Sequence, residues 1–227
     1  MSDSSTQSHT PSAATVPLAN KPRLRGVIHQ YFFFVSLIAG PLMVWRTVDS
    51  EQRMATTIYS LSLSLLLGTS ALYHRITWKE NARMWMRRLD HTMILVLIAG
   101  TYTPLMLIGV EPDLCNLVLK IVWGAVVVGA LIKLGWPRAP KWVSALLYTS
   151  LGWFALVPVP QLLVRYGWSC VGWLVAGGIL YTIGALSYVL KRPNFLKGAF
   201  GYHEVFHTFV VIAAACHYQA IAVVSWG

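Results

Sequence analysis

The sequence predicts an all-α integral membrane protein, a bundle of seven transmembrane helices. Three observations carry that expectation. Hydrophobic residues make up 56% of the 227 residues and charged residues only 11%, and the mean hydropathy is +0.57, far more apolar than an ordinary soluble domain. The apolar residues gather into seven runs, each long enough to cross a hydrocarbon core of about 30 Å, which takes roughly 20 helical residues. An unclosed sheet cannot satisfy its backbone in lipid, so the runs are read as helices.

Residues 1–26, MSDSSTQSHTPSAATVPLANKPRLRG, are rich in Ser, Thr, Pro and Ala and lack apolar periodicity; they predict a disordered cytoplasmic tail. The apolar run after Arg25 is too long, and too poor in a small-residue cleavage site, for a removable signal peptide. Residues 27–227 form one transmembrane domain with spans near 27–45, 54–74, 90–109, 115–134, 142–163, 167–190 and 203–226. Pro41 in AGPLMVW and the pair Pro158 and Pro160 mark kinks or helix ends, tolerated where neighbouring helices cover the freed carbonyls. Trp45, Trp136, Trp142 and Trp168 lie near span ends, as interfacial aromatics do.

Lys and Arg orient the bundle. Lys21, Arg23 and Arg25 precede the first span; Arg75, Lys79, Arg83, Arg87 and Arg88 fill the second loop, Lys133, Arg138 and Lys141 the fourth, and Lys191, Arg192 and Lys197 the sixth. The opposite side has Arg46, Arg53 and Arg165, with Lys120 snorkelling toward it from the fourth span. The N-terminus is therefore expected in the cytoplasm and the C-terminus outside. The net charge of +10 is then a collar facing anionic lipid headgroups, and it calls for no nucleic-acid partner. Of the three cysteines, Cys115 and Cys170 fall near outer helix ends where pairing is open, and Cys216 reads as core packing.

With that orientation, ionisable residues from three spans reach one level. His74 ends the second span, Asp90 and His91 begin the third, and His203 and His207 begin the seventh. Ser70 and His74, like His203 and His207, are four residues apart and share a helix face. A single histidine at a helix end is usually an interfacial residue in contact with water. The shared depth argues otherwise, because titratable groups inside spans are costly and point to function. Three imidazoles from two helices, with an aspartate from a third, make a three-histidine zinc site whose fourth position is open to water. His217 lies ten residues beyond His207, about 15 Å along the helix, and reads as a hydrogen-bonded core or lipid-facing residue. His91 points about 100° away from Asp90 and suits packing or a supporting role; His29 is a reserve ligand.

His203, Glu204 and His207 spell H-E-x-x-H, the helical signature of zinc proteases. That chemistry needs a further ligand downstream, yet Ala213 and Val210 stand where a metzincin has His and Gly, and no Asp or Glu follows Glu204. The glutamate is therefore read as a chance match, and the third ligand comes from upstream, His74.

The blocks SALYHRITW, RLDHTMILVLIAGTYTP and GYHEVFHTFVVIAAACHYQAI resemble the signatures of the hemolysin III family, bacterial relatives of the adiponectin and progestin receptors. The resemblance runs from about Lys21 over nearly the whole chain. It implies a seven-helix bundle in the bacterial inner membrane with a cytoplasmic-side Zn2+ site, in a wider group that includes the alkaline ceramidases. Carried over by position, the ligands are His74, His203 and His207; Asp90 holds the water at the metal and Ser70 supports it. The approach to the first helix, KPRLRGVIH, departs from better-known members in lacking an acidic residue and an Asn. The expectation for function is zinc-dependent hydrolysis of a lipid amide or ester, with a membrane lipid as substrate or ligand and Asp90 and Ser70 as the catalytic groups. Two other readings stand beside it. One is a zinc-stabilised signalling or regulatory protein without turnover. The other is a cytolysin, as the family name implies, although the spans offer no polar stripe or charged ring to line a pore.

Overall fold

The computed structural model describes residues 22–135, 141–196 and 198–226. Their elements are α1 (Val27–Arg46), α2 (Ser50–Arg75), α3 (Glu80–Gly109), α4 (Pro112–Gly135), α5 (Lys141–Trp153), a 3₁₀ turn (Phe154–Leu156), α6 (Val159–Tyr166), α7 (Trp168–Leu190) and α8 (Tyr202–Trp226). The described residues hold no strand, only an isolated bridge between Leu196 and Phe200. Residues 1–21 of the expected tail, and Trp136, lie outside the described residues, as does the side chain of Trp142. Pro22–Gly26, assigned to that tail, instead folds as a turn, with Arg25 N–H donating to Pro22 O and Arg23 N–H to Gly198 O.

Six helices are long and apolar enough to cross a membrane, and the bent pair Leu146–Leu156 and Val159–Tyr166 makes up to seven. The protein is a multi-pass integral membrane protein. The fifth span, expected over 142–163 with a kink or helix end at Pro158 and Pro160, is this bent pair: the chain turns by 46° at the break. Pro158 and Pro160 explain why, since proline lacks the amide donor and crowds the preceding turn. Pro41 does not break α1. There the Tyr218 hydroxyl donates to Ala39 O at 2.8 Å and the Ser60 hydroxyl to Gly40 O at 3.3 Å, so neighbouring helices cover backbone near the proline.

The helices also outrun the apolar spans at their polar ends. α3 begins at Glu80 rather than near residue 90, because hydropathy marks where lipid is and not where backbone hydrogen bonds stop. The α2 start is fixed by Asp49, whose carboxylate accepts the Glu51 and Gln52 amides at 2.9 and 3.1 Å, a side-chain cap of the usual kind. α4 opens on Pro112, a position where the missing amide costs nothing.

α8 is the hub of the bundle and packs against α1, α2, α3 and α7. Its buried residues include Val210, Val211, Ala213, Ala214, Ala220 and Ile221. The outward faces are apolar instead: on α1, Tyr31, Phe34 and Ile38 are exposed while His29, Ser36 and Gly40 are buried. Small residues let helices approach closely; a Cβ on Gly100 would meet Ser62 Oγ at 2.1 Å. Trp45 and Trp168 are exposed near helix ends. Opposite ends of the bundle hold the two ends of the fold. Gly26 packs against His74 at one, and Trp226 Nε1 donates to Met43 O at 3.4 Å at the other.

Candidate metal centre

Four histidines converge at the Gly26 end. His74 is one residue from the end of α2, His203 and His207 lie in the first two turns of α8, and His29 is in the first turn of α1. The start of α8 is held in place by its own sequence. Glu204 Oε2 accepts the Gly201 amide at 2.8 Å, the backward reach of a capping box. Its Oε1 pairs with the Arg25 guanidinium, and Asn194 Oδ1 accepts the Tyr202 amide at 3.0 Å. The Glu204 side chain is 1% exposed and faces the turn before α1. With Glu204 facing that way, its neighbours His203 and His207 face α2.

The three imidazoles of His74, His203 and His207 each offer a nitrogen, and these atoms lie within 4.8 Å of one another. His203 Nε2 and His74 Nε2 are 3.1 Å apart. Two nitrogens on a tetrahedral zinc at ~2.05 Å would be about 3.3 Å apart, so the donor set and its spacing fit such an ion. The ring centroids are 4.5 to 5.0 Å apart pairwise. This buried group can hold a metal.

His29, the reserve ligand, stands outside the group of three. Its ring stacks on His207, with centroids 3.9 Å apart and planes within 6°, and both of its nitrogens are buried without a hydrogen-bond partner. Gly26, three residues earlier, has φ +78, and a Cβ there would meet His74 Cβ at 2.5 Å. The turn before α1 therefore presses on one histidine while α1 itself covers another.

Asp90 and Ser70 line the same cavity as the cluster. Ser70 is buried and lies beside the Asp90 carboxylate. Asp90 Oδ2 is 3.6 Å from His91 Nδ1, which also contacts Arg87 O at 2.7 Å; the backbone carbonyl of His91 accepts the Tyr148 hydroxyl at 3.1 Å. The cavity, about 1110 Å³, runs from the Arg25 and Trp78 rim past the histidines to Leu162, Leu174 and His217. His217 is a core residue whose Nε2 lies 3.3 Å from Leu174 O. All three cysteines, Cys115, Cys170 and Cys216, are buried free thiols in this structure.

Sequence reasoning missed the Arg25–Glu204 pair and the His29 stack. The first had a signal: a carboxylate three residues after a helix cap, inside an apolar segment, needs both a cap and a counter-charge. The stack had none, because ring planes depend on how α1 is rotated against α8.

Comparison with known proteins agrees with this architecture. The Haemolysin-III related family model matches residues 18–218. The Hemolysin-3 homolog of Bacillus subtilis (strain 168) is 32% identical over 165 residues, covering 73% of this chain and 74% of that protein. Hemolysin-3 of Bacillus cereus is 34% identical over 165 residues, 71% of each. The Adiponectin receptor protein of Drosophila melanogaster is 26% identical over 194 residues, covering 77% of this chain and 43% of that protein. A match along so much of the chain, together with the helical membrane bundle, makes this protein a member of the haemolysin-III related family.

Proposed function

We propose that the protein is a zinc-dependent hydrolase of a lipid amide or ester, working at the cytoplasmic side of a bacterial inner membrane. The observation that carries the reading is the convergence of three imidazoles from two helices at one end of a large, mainly apolar cavity, with Asp90 on the same wall. His74, His203 and His207 would hold the metal. Zinc, when bound, supplies a water acidic enough to ionise near neutral pH and polarises the carbonyl under attack.

The chain's own residues do the rest. Asp90 lies outside the group of three imidazoles, which leaves it available as a proton acceptor rather than a ligand. It takes the proton of the attacking water as the oxygen bonds to the acyl carbon, and returns it to the amine or alkoxide as the C–N or C–O bond breaks. Ser70, beside it, orients that carboxylate. Leu66, Leu97, Leu105 and Val210 on the cavity wall offer an acyl chain an apolar surface and exclude water from the reacting centre. Glu204 takes no part as a base, since both its oxygens are engaged by Arg25 and Gly201.

The test is metal content of the detergent-purified protein by elemental mass spectrometry, followed by a lipid-hydrolysis screen. Near-stoichiometric zinc is expected in the wild type and none in His203→Ala/His207→Ala. Asp90→Ala should keep most of the zinc and lose turnover. Absence of metal from the wild type sinks the proposal. Stoichiometric zinc without turnover on any lipid, with unfolding on chelation, would instead favour the zinc-stabilised regulatory reading.

A further inference from the structure

The cavity rim carries cations that hydrolysis itself does not use. Arg83, Arg87 and Arg88 come from the first turns of α3, Lys133 from the last turn of α4 and Arg25 from the turn before α1, and all five line the cavity. Arg25 is neutralised by Glu204. Arg83 and Arg87 are exposed, and among the described residues neither has a carboxylate within ion-pair distance. The guanidinium of Arg88 lies over the Trp85 ring at 4.7 Å, and its Nε is buried without a hydrogen-bond partner. Asp90 is the only carboxylate among the residues described as lining the cavity, and it sits deeper, against His91.

Topology alone accounts for positive residues on this side of the membrane, but not for their gathering on a cavity wall. Arg83 and Arg87, four residues apart, share one face of α3 and repel each other mildly. An anion between them relieves that repulsion and gives the guanidinium donors of Arg83, Arg87 and Arg88 acceptor oxygens, a geometry arginine suits well.

We propose that this rim binds the phosphate of an anionic lipid, whose acyl chain fills the cavity. Depth supports the choice. Along α3, Arg87 and Arg83 lie three and seven residues before Asp90, about 4.5 and 10 Å at the helical rise. In a diacyl phospholipid, as in an N-acylated sphingoid phosphate, five bonds separate phosphorus from the nearest acyl carbon, roughly 6 Å when extended. A phosphate gripped between Arg83 and Arg87 thus sets that carbonyl near the level of Asp90. Phosphate binding stands by itself; only the fate of the carbonyl rests on the hydrolase reading, whose substrate class becomes a phosphate-bearing acyl lipid.

The experiment measures binding of dioleoyl phosphatidic acid, dioleoylglycerol and inorganic phosphate to the full-length protein in detergent by native mass spectrometry. Phosphatidic acid should bind about 10-fold or more tighter than dioleoylglycerol, the effect of one charge-assisted contact. Arg83→Gln/Arg87→Gln should abolish that preference with dioleoylglycerol binding unchanged, and Arg83→Lys/Arg87→Lys should keep most of it. If the glutamine variant does not fold, the wild-type preference must still shrink as salt rises. Equal binding of the two lipids, a preference indifferent to both variant and salt, or inorganic phosphate binding as tightly as phosphatidic acid would each overturn the proposal. A phosphate preference in a protein that holds no metal and hydrolyses nothing would keep this site and remove the hydrolase reading.

Discussion

The two ends of α8 treat histidine in opposite ways. At its start, His203 and His207 face His74 across a helix interface, with three nitrogens within 4.8 Å of one another. Farther along, His217 meets a backbone carbonyl, Leu174 O, at 3.3 Å, and a Cβ on Gly177 would strike its ring at 2.3 Å. The residue type and the helix are the same. What differs is whether another helix brings a second imidazole to the same depth. A histidine inside a membrane is therefore no site in itself: convergence makes one.

The largest effect that can break this comparison comes from exchanging the histidines one at a time. His207→Ala should lose nearly all bound metal, whereas His217→Leu should keep wild-type metal content and lose only about 1 kcal/mol of stability, the worth of one hydrogen bond. Elemental analysis beside thermal denaturation in detergent reads both. If His217→Leu also empties the centre, the two ends of the helix are coupled and the contrast fails.

A sharper version uses two glycines with positive φ. Gly26 has φ +78 beside His74, while Gly167 has φ +64 with nothing within 4 Å of a Cβ. Alanine at either position takes up a backbone strain of order 1–3 kcal/mol. Only Gly26→Ala should also weaken metal binding, by about 10-fold, because its Cβ displaces His74. Competition with a chelator of known affinity separates the two; equal metal affinity in both variants would mean that the turn before α1 does not set the position of His74.

The smallest expected effect concerns Glu204. Glu204→Gln keeps the cap on Gly201 but leaves Arg25 without a counter-charge, and Arg25 is 23% exposed, so water offsets part of the loss. Stability should fall by about 1–2 kcal/mol, with zinc stoichiometry retained. Loss of the metal in this variant would restore Glu204 to the centre and contradict its separation from the histidines.

Much of this was legible in the sequence, for identifiable reasons. Apolar runs report lipid thickness directly, so the number of crossings and the depth of His74, His203 and His207 followed from counting residues. The helical spacing of four placed His203 and His207 on one face. Two things were hidden. Where α5 ends and α6 begins depends on which turn Pro158 and Pro160 disrupt, a local choice that tertiary packing decides. The start of α3 at Glu80 escaped because Glu80–Leu89 is helical without being apolar. Glu204 was rightly set aside as a chance match to H-E-x-x-H, but its bonds to Arg25 and Gly201 were not foreseen, because that motif fixes spacing and not the direction in which a side chain turns.

The pairing of Arg25 with Glu204 spans 179 residues, from the turn before the first helix to the start of the last. His29 and His207 stack across almost the same separation. During synthesis the first helix is threaded into the membrane long before α8 leaves the ribosome. Until then, His74 has neither of its α8 partners, His29 has no ring to rest on and Arg25 has no carboxylate. The histidine cluster is thus the last thing the chain builds, so that only a fully inserted molecule brings its three imidazoles together.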